Sequence, residues 1–193
     1  FKNPDLPIHL DIGSARGKFL MEMACLYPEY NYLGVEIRKP LVDAAERHRR
    51  ELEIDNLRYI FCNANVSLQD WLVNLPRYQL ERVSIQFPDP WFKRRHKKRQ
   101  VLQYPLLIDI AYSLAPNSML FIQSDVLQVI DQMTKLISHC SYFDLSKDCR
   151  QDWTSSSPFV VRTEREAYAV EKNLPIYRAI YKRNYQALDK SLI

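Results

Sequence analysis

The apolar positions of this chain repeat with two periods in turn, a strand-like alternation and a helix-like spacing. His9-Leu10-Asp11-Ile12 reads as a first short strand. Lys18 to Tyr27 follows as a helix, with Phe19, Leu20, Met23 and Leu26 at helical spacing. Asn31 to Glu36 is a second strand. Arg38 to Leu52 is a strongly charged helix, with Leu41, Ala44, Ala45 and His48 predicted on its inner face. Leu57 to Cys62 is a third strand and Val66 to Leu75 a short helix. Val83 to Phe87 is a fourth strand, by its alternation and β-branched content. Val101 to Leu114 carries a helix with Leu102, Leu106, Ile110 and Leu114 on one face; Pro105 marks its start or a kink. Ser118 to Gln123, Tyr142 to Leu145 and Pro175 to Lys182 are three more strands. Asp125 to Cys140 and Thr163 to Lys172 are helical, and Trp153 to Pro158 is a polar loop. Strands alternating with helices in this way predict an α/β fold with a mostly parallel, doubly wound sheet.

The turns between these elements hold the candidate chemistry. The chain has three glycines, and two of them, Gly13 and Gly17, fall in the turn after the first strand. Glycine there permits positive φ and close approach of backbone to a ligand, and the next helix begins with free N–H groups. Glu36 ends the second strand, 19 residues past Gly17. An acidic residue at about that distance grips ribose hydroxyls in nucleotide-binding folds. The fourth strand runs into Pro88-Asp89-Pro90-Trp91-Phe92. Two prolines make this corner stiff, and both Phe87 and Asp89 are biased toward extended backbone. Trp91 and Phe92 either pack in the core or stack on a base.

Cations follow at once. Lys93, Arg94, Arg95, Lys97, Lys98 and Arg99 are six basic residues in seven positions. The formal net charge is +4, so the rest of the chain sums to 4 − 6 = −2. The basicity is local, which points to a dedicated polyanion patch, the mark of a nucleic-acid platform. Apolar content of 47% and charged content of 26% fit one globular α/β domain over residues 1–193. Cys25, Cys62, Cys140 and Cys149 lie far apart, against zinc or a disulfide framework and for a reduced, cytoplasmic setting. Cys25 and Cys62 are expected in the core. No histidine has ligand spacing, so no metal is expected, and no apolar run is long enough for a membrane span. The chain opens on Phe1 and not on Met, so an N-terminal piece is expected to be missing.

Taken in order, these residues form a recognisable set. Asp11-Ile12-Gly13…Gly17, Gly34-Val35-Glu36-Ile37-Arg38, Asn63-Ala64, Pro88-Asp89-Pro90-Trp91…Lys93…His96…Lys98-Arg99, Ser124-Asp125 and Thr163-Glu164-Arg165-Glu166 resemble the tRNA (guanine-N7-)-methyltransferases. The match runs from about residue 8 to residue 183. The resemblance implies a Rossmann-like, seven-stranded, mostly parallel sheet with helices on both faces and an antiparallel last strand. It implies S-adenosylmethionine (SAM) as cofactor and tRNA as partner, with the protein a monomer or homodimer. It implies that Asp11, Glu36, Asn63 and Asp89 line the SAM site, with Asp89 catalytic. Lys93, Asp125, Thr163, Glu164, Arg165 and Glu166 would contact substrate. Three positions depart from the family pattern: Ala15 stands for a middle glycine, Phe92 for a frequent proline, and Arg165 for an aromatic residue.

Guanine N7 has an in-plane lone pair and no proton, so transfer to it needs no general base. Orientation and a matched field suffice. Other roles stay open for several residues. Asp125 or Ser124 could cap the following helix, and Thr163 with Glu166 has capping-box spacing. Three other activities are weighed: methylation of an exocyclic amine, because Pro88-Asp89-Pro90-Trp91 resembles the corner of adenine methylases; a nicotinamide dehydrogenase, poorly matched by the glycine spacing; and an RNA-binding module without catalysis.

Overall fold

A computed structural model describes residues 1–91, 98–147, 149 and 156–188. The element order is β1 (Ile8–Ile12), α1 (Lys18–Leu26), β2 (Asn31–Glu36), α2 (Lys39–Glu51), β3 (Leu57–Phe61), α3 (Leu68–Leu72), β4 (Leu80–Gln86), α4 (Tyr104–Ser113), β5 (Leu114–Ser124), α5 (Leu127–Ser138), β6 (Phe143–Leu145), α6 (Glu164–Glu171) and β7 (Tyr177–Arg183). The seven strands form one sheet in the order β3-β2-β1-β4-β5-β7-β6. The pairs among β1 to β5 are parallel, and β7 runs antiparallel to both β5 and β6. This is the Rossmann-like sheet with an antiparallel last strand.

The strands β1 and β2 are buried along their whole length, and β5 over its last five residues, because both faces are covered there. One face packs Leu10, Ile12, Val83, Ile85, Leu120 and Ile122 against α3, α4 and α5, which bring in Leu68, Leu106, Ile110, Ile130 and Ile137. The other packs Tyr32 and Phe121 against Phe19, Leu20 and Met23 of α1, Val42 and Ala45 of α2, and Phe159 and Val161. Of the four apolar residues predicted for one face of this helix, Leu106 and Ile110 are buried in α4, while Leu102 before it and Leu114 at the start of β5 are buried outside it. The sheet thus has a switch point between β1 and β4, where the chain stops building toward β3 and starts building toward β5. Ligands of open α/β sheets bind outside the carboxyl ends of strands at such a point.

Three expectations are corrected. The inner face of α2 is Val42, Ala45 and Arg49, and Ala44 and His48 are exposed. Arg49 is tolerated inside because it pairs with Glu46 at 3.1 Å and donates to the Ile54 carbonyl at 3.0 Å. An apolar-periodicity rule cannot register a buried arginine, so it places the face one position off. Cys25 is exposed, on the outer side of α1, whereas Cys62 is buried. Phe87 is not extended but left-handed, at φ 49°. Its N–H donates to the Gln123 carbonyl at 2.8 Å, carrying the β4–β5 pairing one residue past the strand. A non-glycine residue there costs about 1–2 kcal/mol, which the surrounding contacts must offset.

Candidate functional site

A cleft of about 490 Å³ opens at the carboxyl ends of β1, β2, β3 and β4. This is within the usual size range of small-molecule sites. Its floor starts at Asp11, which is buried at the end of β1. Asp11 Oδ1 accepts from Ser84 Oγ at 2.6 Å and from Gln86 Nε2 at 3.1 Å, both on the neighbouring β4. Burial pushes the Asp11 carboxyl up to about 6, against the opposing pull of those two hydrogen bonds; Glu36 adds a smaller upward push. Ser84 Oγ is spent on Asp11, so it accepts from His9 Nε2, 2.9 Å away. That assigns the proton of the neutral imidazole to Nε2. Burial, helped by the nearby Arg82 charge, lowers His9 to about 3, so it stays neutral.

The glycine turn forms the next wall. Gly13 and Gly17 have φ of 90° and 78°. A Cβ on Gly13 would meet nothing within 4 Å, whereas one on Gly17 would lie 2.5 Å from the Tyr59 ring. Tyr59 fills the notch that Gly17 leaves, and its hydroxyl donates to the Gly17 carbonyl at 2.5 Å. Ala15 is itself left-handed, at φ 49°. Its N–H donates to Glu36 Oε2 at 3.1 Å, tying the turn to the end of β2. Glu36 is 4% exposed. Its Oε1 also accepts from the Arg38 backbone N–H at 2.9 Å and from Arg38 Nε at 3.0 Å. The hydrogen bond to Glu36 raises the proton affinity of Arg38, with Asp89 adding to it. Asn63 is exposed on the far rim, where its Oδ1 accepts from the Asn65 N–H at 3.1 Å.

Asp89 is exposed on the opposite rim. With Pro88, Trp91, Lys98 and Val101 it lines both this cleft and a wider adjoining hollow of about 1000 Å³ between the corner, α4 and α5. Lys98 and Arg99 are exposed, and the Arg99 guanidinium lies 4.9 Å from the centre of the Trp91 ring. Lys93, Arg94, Arg95 and Lys97, with Phe92 and His96, lie outside the described residues.

The four residues of the Thr163–Glu166 stretch do not share one position. Thr163 caps α6, its Oγ1 accepting from the Glu166 N–H at 3.1 Å. Thr163, Glu164 and Arg165 line the cleft. Glu164 pairs with Lys18 at 3.1 Å and Arg16 at 3.5 Å, which joins α6 to the glycine turn. Arg165 pairs with Asp125 at 2.5 Å. Asp125 is mostly buried behind that pair, and neither it nor Ser124 caps α5, whose N-cap residue is Val126; Ser124 Oγ takes the N–H of Val126 itself. Glu166 is 1% exposed and points under the helix, away from the cleft lining. The residues to which sequence reading gave no role are Ser84, Gln86, Tyr59 and Arg38, which hold the predicted ones. Polar Ser84 and Gln86 inside an apolar strand were the available signal. Among the described residues no group of three or more His, Cys, Asp or Glu side chains could hold a metal ion, and no helix is long and apolar enough to cross a membrane.

The cleft fits SAM in its donors and acceptors: two buried carboxylates at adjacent strand ends, and open space beside Gly13 where backbone can meet a ligand. Similar proteins agree. Residues 5–179 match the family model described as "Putative methyltransferase". A tRNA (guanine-N(7)-)-methyltransferase of Prochlorococcus marinus (strain MIT 9313) is 56% identical over 186 residues, covering 96% of this chain and 79% of the relative. One of Synechococcus sp. (strain WH7803) is 55% identical over 188 residues, covering 97% and 79%. Among solved structures, the 16S rRNA methyltransferase KamB matches with a TM-score of 0.62 at 12% identity, over 92% of this chain and 88% of that one. A precorrin-6y C5,15-methyltransferase from Geobacter metallireducens matches at 0.60 and 11% identity, over 95% and 83%. At such identities these two speak for the SAM-methyltransferase fold alone, while the relatives above half identity speak for more. By its sequence and by the architecture around this cleft, the chain belongs to the tRNA (guanine-N7-)-methyltransferases, enzymes that transfer a methyl group from SAM to N7 of a guanine in tRNA.

Proposed function

We propose that residues 1–193 act as one methyltransferase domain in the cytoplasm, and that the cleft performs the transfer with Asp89 as its catalytic residue. The observation that carries this is the place of Asp89, on the wall common to the cleft and the adjoining hollow. A group there touches whatever passes between cofactor and RNA. Asp11 would take the cofactor's ammonium and Glu36 its ribose hydroxyls, with Gly13 and Gly17 giving backbone access and Asn63 closing the far rim. For Glu36 this requires Arg38 to swing aside, which its exposed side chain allows. Bound SAM supplies a methyl group on a sulfonium. Its transfer to the N7 lone pair would leave the S–C electron pair on sulfur. The positive charge therefore passes to the purine, where the Asp89 carboxylate stabilises it. That same carboxylate can accept from the guanine N1–H and N2–H₂, contributing roughly 1.5–3 kcal/mol per charged hydrogen bond. Lys98 and Arg99, with Lys93, Arg94, Arg95 and Lys97, would hold phosphates and set register while the pocket reads the base. Thr163, Glu164 and Arg165 would meet the RNA at the α6 edge, and Asp125 would meet it once Arg165 releases it.

The test is radiolabelled methyl transfer to bulk tRNA followed by nucleoside identification. We expect Asp89→Ala to lose activity by about two or more orders of magnitude with its melting curve unchanged, since Asp89 is exposed. Near-normal turnover by this variant would sink the assignment.

A further inference from the structure

Asp11 belongs to a longer polar row. His9 and Asp11 on β1, Ser84 and Gln86 on β4, Gln123 on β5 and Arg178 on β7 lie on four adjacent strands. The pairing register sets Asp11 beside Ser84, Gln86 beside Gln123, and Gln123 beside Arg178. Their side chains join without a gap on one face of the sheet. Gln86 donates to Asp11, so its Oε1 faces away and accepts from Gln123 Nε2 at 2.8 Å. Gln123 Nε2 also donates to Glu166 Oε2 at 3.2 Å, and its Oε1 accepts from Arg178 Nε at 3.1 Å. Arg178 Nη2 closes the ring on Glu166 Oε1 at 2.7 Å. The Asp11 anion at one end and the Arg178 cation at the other dictate the direction of both amides. A flipped Gln123 would set its oxygen against two acceptors and its NH₂ against a guanidinium. Gln123 is fully buried, and Glu166 and Arg178 are nearly so. Well-made buried networks of this kind hold one geometry.

We propose that Glu166 is a positioning residue for the methyl transfer and not a substrate contact. With Gln123 and Arg178 it fixes the first turn of α6. That turn carries Thr163, Glu164 and Arg165 in the cleft wall, at a set place relative to Asp11 on the cofactor floor. The RNA-facing wall is therefore registered from the cofactor side, through the sheet. The inference rests on the site reading given above.

The experiment compares Gln123→Met, Arg178→Lys and Glu166→Gln, at a temperature where each is fully folded by circular dichroism. Methionine keeps the volume of Gln123 and removes its donors. Lysine keeps the charge of Arg178 but cannot reach Gln123 and Glu166 together, and it serves should the buried methionine variant fail to fold. We expect all three to raise KM for tRNA about tenfold at saturating SAM, the size of a positioning effect. The SAM dissociation constant by calorimetry should stay within about threefold, because Ser84 still holds Asp11. Gln123→Met combined with Glu166→Gln should be no worse than the worse single change. A high KM in Glu166→Gln with wild-type values in the other two would mean that Glu166 touches RNA directly, and would overturn the proposal. So would wild-type KM in all three. The site reading fails separately, if Asp11→Asn binds SAM as tightly as the wild type does.

Discussion

Glu36 and Glu164 are two carboxylates on the wall of one cleft, and they are held in opposite ways. Glu36 is buried at a strand end and receives two backbone N–H groups, from Ala15 and Arg38. Glu164 is 40% exposed on its side chain and is held by the flexible ends of Lys18 and Arg16, themselves 60% and 70% exposed. The cofactor wall is thus built from main chain and buried side chains, whose geometry follows from the strands and the turn. The α6 wall meets the glycine turn through solvated ion pairs, and its firm anchor is the buried Glu166 beneath. Backbone-held groups have little freedom to lose. Solvated ion pairs contribute roughly 0–1 kcal/mol each and weaken with salt. A methyltransferase that takes one small cofactor and one large RNA has reason for this division, since the cofactor must be placed to a fraction of an ångström and the RNA side must open to admit it.

The comparison breaks first at Gly17. In Gly17→Ala a methyl would sit 2.5 Å from the Tyr59 ring at a φ of 78°. Overpacking and backbone strain together predict a loss of about 2–4 kcal/mol in urea unfolding and SAM binding weakened more than about tenfold. Wild-type affinity would show that the turn is not the rigid part. Asp11 gives the next largest effect. Its carboxyl is raised to about 6, so the anion that would meet the cofactor's ammonium is complete above pH 7 and lost as pH falls through 6. SAM affinity by calorimetry should fall about tenfold per unit well below 6, whereas Asp11→Asn should be weak and lack that fall. Stability moves the other way for this group. A raised carboxyl favours the fold below 3.8 and loses that contribution as pH rises through 6. His9, lowered from 6.5 to about 3, opposes it by withdrawing stability as pH falls through that range.

The α6 wall should respond far less. Glu164→Gln removes both ion pairs to the glycine turn and should shift KM for tRNA by no more than about threefold and stability by under about 0.5 kcal/mol. The shift should vanish at high salt, and a tenfold effect at any salt would make Glu164 as firmly placed as Glu36. The smallest effect belongs to Ala15→Gly. Ala15 stands at φ 49°, where glycine is unstrained, so the change should stabilise the protein by about 0.5–1 kcal/mol in urea titration. A loss of stability would mean that the Ala15 methyl contributes packing to the turn.

What the amino-acid order determined by itself is the set of elements and the residues at their ends. Strand β2 falls where it is predicted, at Asn31–Glu36, and Leu106 and Ile110 of the predicted stripe are buried in α4, beside Leu107, Ile108 and Ala111. These are legible because local periodicity and glycine or proline punctuation act within a few residues. Glu36 and Asp89 could be singled out for the same reason, one ending a strand and the other between two prolines just past one, whereas Asp11 entered through the family resemblance. The tertiary structure decided how they are held. Arg49 is inside because Glu46 and the Ile54 carbonyl satisfy it, and Phe87 is left-handed because its N–H completes a bond to β5. Asp11, Ser84, Gln86, Gln123 and Arg178 line up only once four strands are laid side by side in register. Glu166 then reads as an anchor beneath the helix, although its neighbours in sequence face the cleft. The contacts of that polar row join residues from 12 to 75 positions apart, so their energies depend on sheet register, which short-range patterns do not carry.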